Sequence, residues 1–181
     1  VCGDSYTAGD LFSDSTTFQG EFESISWGKD LERISGVNVR VYASGGADVK
    51  LYQERWNCLP KILAEEPKEL YFICLGINDS ATYADKLGTI ADINEDYQNN
   101  PDTFYGNYGK IIAQIKEHAP KAKVILCKTW LVPGINSQFT GIYNFSSKAI
   151  EELAEHFNIR YIETKGDNDD FDIIRREYKN D

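Results

Sequence analysis

The sequence predicts an α/β protein with a mostly parallel, five-stranded sheet and helices on both faces. Three observations predict it. Short apolar runs alternate with stretches of helical periodicity along the chain, the pattern of parallel strands joined by crossover helices. The run at residues 70–75 is continuously apolar, as expected of a strand covered on both faces. Three of the runs break into turns rich in glycine, aspartate and asparagine. In open α/β sheets that end of the strand is where ligands bind.

Taken in order, Val1 and Cys2 lead into Gly3-Asp4-Ser5, with Gly9 four residues further on. This reads as the last piece of a buried strand breaking into a tight turn, with Gly3 supplying backbone angles closed to other residues. Residues 10–23 are polar with Phe12, Phe18 and Phe22 interspersed, and read as a long binding loop. Trp27, Leu31 and Ile34 recur at helical spacing within residues 24–35, and Gly36 is a natural stop. Residues 37–43 read as the second strand, and Ser44-Gly45-Gly46-Ala47-Asp48 as the turn after it. Residues 49–64 read as helix, with Pro60 as the point where it can split.

The third strand, at residues 70–75, ends in Gly76-Ile77-Asn78-Asp79. Residues 80–99 carry only a weak pattern, with a short helix around 83–90. Asn100-Pro101-Asp102 reads as a helix start in which Asn100 caps and Pro101 occupies the first turn. Phe104, Tyr108, Ile111, Ile112 and Ile115 form the apolar face of that helix, and Pro120 ends it. Residues 123–129 are the fourth strand, 130–140 a loop, 144–157 a helix, 159–162 the fifth strand and 165–181 a charged tail. Trp27, Tyr52 and Trp56 fall on helix faces and are assigned to the core.

The 181 residues suit one domain, and 41% hydrophobic residues suit a packed core rather than a disordered chain. A net charge of −10 and a pI near 4.7 argue against nucleic-acid partners and against electrostatic docking on anionic membranes. No apolar run approaches the ~20 residues of a membrane span. Cys2, Cys58, Cys74 and Cys127 match no zinc spacing; three of them sit in strand-like runs as buried free thiols, which favours a reducing compartment. No metal cluster and no phosphate-cradling glycine loop is present in the sequence, so no cofactor is expected.

In a sheet of order 2-1-3-4-5 the three turns containing Ser5, Gly46 and Asn78 converge at one edge. Acyl transfer needs that arrangement: a hydroxyl attacks a carbonyl, and donors already point at the oxygen that gains charge. The Ser5 backbone N–H, the Gly46 backbone N–H and the Asn78 side-chain amide supply three such donors. Gly45 is an alternative to Gly46.

Gly3-Asp4-Ser5, Ser44-Gly45-Gly46-Ala47-Asp48 and Gly76-Ile77-Asn78-Asp79 occur in the order and at the intervals of the SGNH (GDSL-type) hydrolases, which the chain resembles over nearly its whole length. The resemblance implies a flavodoxin-like three-layer α/β/α sandwich. It makes Ser5 an ester-cleaving nucleophile and Gly46 and Asn78 oxyanion donors. By family analogy the substrate is a small-molecule ester, first of all an acetyl group on a carbohydrate. A lipase or thioesterase of the same family, or a glycan-binding domain on a degenerate scaffold, are the alternatives. Trp130, after the fourth strand, is a candidate wall for an acyl or sugar pocket, whereas Tyr6 is read as ordinary packing.

The family's Asp-x-x-His base is missing from the sequence. The only histidines, His118 and His156, sit near the ends of helices that lead into strands, and are therefore expected at the edge opposite Ser5. The acidic residues Asp167, Asp169 and Asp170 read as a solvated loop. The first strand is also short for a central one, so the natural protein is expected to extend beyond both Val1 and Asp181.

Overall fold

The computed structural model of the chain describes residues 1–13, 17–128 and 137–163. Along the first half run β1 (Cys2–Gly3), α1 (Ser5–Ala8), β2 (Asp10–Phe12), β3 (Phe18–Glu21), α2 (Trp27–Ser35), β4 (Tyr42–Ala43), α3 (Leu51–Glu54) and α4 (Cys58–Ala64). The second half contains β5 (Leu70–Cys74), α5 (Asp79–Tyr83), α6 (Phe104–His118), β6 (Lys123–Cys127), α7 (Ser137–His156) and β7 (Arg160–Ile162).

Five strands form one sheet in the order β4-β1-β5-β6-β7, every neighbouring pair parallel. Numbered among themselves, these strands run 2-1-3-4-5, the order expected. Helices cover both faces. Tyr71 and Ile73 enter a cluster with Leu59 and Ile62 of α4 and with Phe104, Tyr108, Ile111, Ile112 and Ile115 of α6. Side chains alternate along a strand, so Phe72 between them points to the other face. There its ring meets Trp27 of α2 edge-on, with centroids 5.9 Å apart.

Several local expectations are corrected. Residues 10–23 are not a loop: β2 and β3 pair antiparallel, with Asp10 opposite Glu21 and Leu11 opposite Gly20. Leu11 and Phe18 are exposed, so no buried face imposed the alternation that marks a strand in sequence. Residues 37–43 give strand only at Tyr42–Ala43. The backbone of Val39 is satisfied by α2 instead: its N–H donates to Glu32 Oε1 and its carbonyl accepts from Lys29 Nζ. The helix at 49–64 breaks at Asn57, which has φ 56°, and not at Pro60. Pro60 lies in the first turn of α4, where a missing N–H costs nothing.

The helix expected at 83–90 lies at Asp79–Tyr83, followed by 3₁₀ turns at Ile90–Asp92 and Tyr97–Asn99. Thr103, not Asn100, caps α6, its hydroxyl accepting from the Gly106 N–H at 3.0 Å. Asn100 instead bridges outward, accepting from the Asn94 N–H and donating to the Gly106 carbonyl. The helix expected from Asn144 starts at Ser137, inside the stretch read as loop. Tyr52 is fully buried, while Trp27 and Trp56 are only partly so. Gly36 closes α2 in the left-handed conformation, as expected.

The glycine at the head of the chain has a different reason from the one expected. Gly3 has no positive φ. A Cβ there would lie 2.2 Å from Thr7 Oγ1 and 3.0 Å from the Cys74 carbonyl oxygen. Close approach between β1, α1 and β5 therefore excludes a side chain. Gly3→Ala is expected to cost about 1–3 kcal/mol, the usual range for overpacking, read as a lower urea midpoint at unchanged slope. A wild-type midpoint would show that the three elements can separate freely.

Candidate active site

Because β1 lies between β4 and β5, the turns that follow these three strands share one edge of the sheet. Ser5 opens α1 directly after Asp4, which caps it. Asp4 Oδ1 accepts the Tyr6 N–H at 3.1 Å, and the Asp4 carbonyl accepts from Thr7 and Ala8. Gly9, with φ 79°, ends the single turn by returning its N–H to the Ser5 carbonyl. Trp27 Nε1 donates to Thr7 Oγ1 at 3.3 Å and so ties the turn to α2. The Ser5 side chain is half-buried, and none of the described residues hydrogen-bonds its hydroxyl.

In the second turn, the Gly45 N–H donates to Glu21 Oε1 at 2.6 Å, and the Ser44 hydroxyl donates to the same oxygen at 2.9 Å. No acceptor among the described residues takes the Gly46 N–H. Gly46 has φ 70°, and a Cβ added to it would meet no atom within 4 Å. Conformation, and not crowding, calls for glycine there. The third turn is fastened to the second. Asn78 Nδ2 donates to the Ala47 carbonyl at 3.0 Å, and the Val49 N–H donates to Asp79 Oδ1 at 2.9 Å. A primary amide carries two N–H donors, and the second of Asn78 has no acceptor among the described residues. Ser5, Gly46 and Asn78 are thus the heads of three adjoining turns, with donors unspent at the last two.

The floor of this edge is acidic. Asp4, Asp48 and Asp79 are all buried. Asp48 is satisfied by the Lys50 and Leu51 N–H groups and the Thr82 hydroxyl. Burial pushes Asp79 well above the usual carboxylate range, and the charges of Asp48 and Asp4 add to the shift. Asp79 Oδ2 has no partner among the described residues. Burial raises Asp4 to about 7, partly offset by its bond from Tyr6 and reinforced by Asp10. Asp10 is raised to about 6, by desolvation first and by Glu21 second.

The two histidines lie where expected. His118 ends α6 and His156 ends α7, the helices that precede β6 and β7, so both sit at the edge opposite Ser5. His156 packs edge-on against Phe157. Tyr6, beside Ser5, is exposed. Trp130 and the acidic tail from residue 165 lie outside the described residues. Among the described residues there is no group of three or more His, Cys, Asp or Glu placed to hold a metal ion. No described helix is long and apolar enough to cross a membrane. Asp10 and Glu21 were missed in the sequence, because nothing in their spacing ties them to Gly45.

A family model for GDSL-like lipases and acylhydrolases matches residues 1–180. No curated protein matches the chain. Among solved structures, a family two carbohydrate esterase from Clostridium thermocellum in complex with cellohexaose is similar at 17% identity and a TM-score of 0.65. That match covers 92% of this chain and 53% of the esterase, so the chain spans about half of that protein. A catalytic mutant of an acetylxylan esterase from Geobacillus stearothermophilus is 18% identical with a TM-score of 0.60, covering 91% of this chain and 74% of its own. A carbohydrate esterase whose active site displays divergent catalytic and non-catalytic binding functions is 16% identical with a TM-score of 0.58, covering 92% and 58%. At these identities the likeness is one of fold.

Asp4 provides a test of the buried acidic floor. Its folded-state pKa of about 7 lies above the ordinary aspartate value of 3.8. The folded state therefore binds more protons between those values, and the stability contributed by the protonated form is lost as pH rises towards 7. Asp4→Asn keeps an acceptor for the Tyr6 N–H and removes the ionisation. The variant is expected to match the wild type near pH 4 and to unfold at a higher temperature than it at pH 8. A difference in melting temperature that does not change with pH would contradict a buried, proton-holding Asp4.

Proposed function

The chain belongs to the GDSL-like lipase/acylhydrolase family, and from that premise we propose that it hydrolyses an ester through a serine acyl-enzyme, the substrate being an acetylated carbohydrate. The observation that carries the reading is the junction of the three turns: Asn78 bonded to the Ala47 carbonyl, with the Gly46 N–H unspent next to it and Ser5 on the adjoining strand end. Ser5 Oγ attacks the ester carbonyl as a base takes its proton. Negative charge gathers on the carbonyl oxygen, where the N–H groups of Ser5 and Gly46 and the remaining Asn78 donor receive it. The tetrahedral intermediate collapses, and the alcohol leaves with the proton. Water then attacks the acyl-enzyme and releases the carboxylic acid and Ser5.

The base in this reading is a histidine oriented by an aspartate, a place that His118 and His156, at the far edge, do not fill. Acetylated carbohydrate is favoured over longer acyl chains by two of the structural neighbours, an acetylxylan esterase and a cellohexaose-bound carbohydrate esterase. A second reading, a glycan-binding domain, is favoured by the neighbour whose active site has non-catalytic binding functions. It expects a full-length protein that retains oligosaccharide and releases no acetate.

In the full-length protein, Ser5→Ala is expected to reduce hydrolysis of an activated acetyl ester to near the enzyme-free blank while leaving the unfolding curve in place. Turnover equal to wild type would remove Ser5 from the mechanism. Asn78→Ala is expected to lower kcat by about 10²–10³, typical for one oxyanion donor, with little change in KM. If only KM rose, Asn78 would be a substrate holder and not a partner of developing charge.

A further inference from the structure

The β2–β3 hairpin follows the nucleophile turn after a single residue, Gly9, and ends on the turn that contains Gly46. Its base is stitched to the nucleophile turn, the Phe22 N–H donating to the Gly9 carbonyl at 2.9 Å. The fit is tight, because a Cβ at Gly9 would lie 2.3 Å from the Phe22 carbonyl oxygen. At the other side two carboxylates meet Gly45. Glu21 and Asp10 are direct cross-strand partners, so one face of the ribbon presents both.

Glu21 Oε1 accepts from the Gly45 N–H and from the Ser44 hydroxyl. Asp10 packs on the same residue: a Cβ at Gly45 would lie 2.6 Å from Asp10 Oδ2 and 3.3 Å from Glu21 Oε1. Position 45 is thus crowded by the ends of two hairpin side chains, whereas position 46 is held to glycine by its own backbone.

We propose that Glu21 is a positioning residue for the oxyanion turn, and that the hairpin sets the spacing between Ser5 and the Gly46 N–H; this rests on the ester-hydrolase reading above. The physical argument is one of constraint. A turn of two consecutive glycines has more backbone freedom than any other, yet an oxyanion donor must be held where the charge will form. Glu21 removes that freedom with two charge-assisted hydrogen bonds on adjacent residues. It engages the Gly45 N–H, while the next amide, that of Gly46, has no acceptor among the described residues. The anchor is carried on a short ribbon that continues from the nucleophile turn and is bonded back to it at Gly9, so a shift of one is transmitted to the other.

The test compares Glu21→Ala, Glu21→Gln and Ser5→Ala in the full-length protein. Glu21→Ala is expected to lower kcat for an activated acetyl ester by about 10- to 100-fold, the scale of a misplacement near 1 Å, with KM within about twofold. Glu21→Gln keeps an oxygen able to accept both bonds and is expected to stay within about threefold of wild-type kcat. Amide hydrogen exchange of Gly45, followed by NMR in the Ser5→Ala background, is expected to quicken when Glu21→Ala is added; this readout is independent of turnover. Wild-type kcat in Glu21→Ala, or an unchanged Gly45 exchange rate, would overturn the positioning role. A wild type that turns over no faster than Ser5→Ala would overturn the hydrolase reading instead, and the two failures are thereby told apart.

Discussion

Two hydrogen bonds between neighbouring turns carry the organisation of this edge: Asn78 Nδ2 to the Ala47 carbonyl, and the Val49 N–H to Asp79 Oδ1. The residues they join are 30 and 31 positions apart in sequence. The sheet brings them within reach because β1 separates β4 from β5 by one strand only. The residues that cap and close the turns are thus also the residues that hold donors in place. Asn78 illustrates the economy. One of its amide hydrogens fastens the turn, the other stays available, and its neighbour Asp79 secures the backbone beyond the glycine pair.

The architecture was legible in the sequence wherever burial imposed a pattern. Residues 70–75 announce a strand covered on both faces, and Phe104, Tyr108, Ile111, Ile112 and Ile115 announce one face of α6, all of them fully buried. The parallel sheet follows from the alternation of strands and helices, whereas the strand order, and with it the shared edge of the three turns, goes with the fold that the family resemblance implies. Where burial imposes nothing, the sequence is silent. The hairpin has carboxylates on one side and exposed apolar residues on the other, so its strands look like loop. Thr103 and Asn57 decide where helices begin and break, but residues as suitable by type, Asn100 and Pro60, stand close by. The choice between them is made by tertiary contact and not by propensity.

Gly3, Gly45 and Gly46 show that residue identity alone conceals the reason for a residue. Gly3 makes room for Thr7 and Cys74, Gly45 makes room for Asp10 and Glu21, and only Gly46 uses the conformational freedom unique to glycine. The same holds for the acids. Asp4, Asp48 and Asp79 each lie next to or near a candidate site residue in sequence, which suggests chemistry. In the fold they are buried supports, two of them with proton affinities raised chiefly by loss of solvent.

An isolated two-stranded ribbon is at best marginally stable in water. The hairpin, with Leu11 and Phe18 exposed, has no core of its own to correct this. Its order is borrowed from what it grips, the Gly9 carbonyl on one side and the Ser44–Gly45 turn on the other. Coupling free energies are reciprocal. Whatever stiffens the turn, including a ligand's oxygen seated against the Gly46 amide, must stiffen the ribbon by the same free energy. Whatever frays the ribbon tip must loosen the turn. In the proposed reading the hairpin is therefore a thermodynamic reporter of the occupancy of a site it does not itself enter.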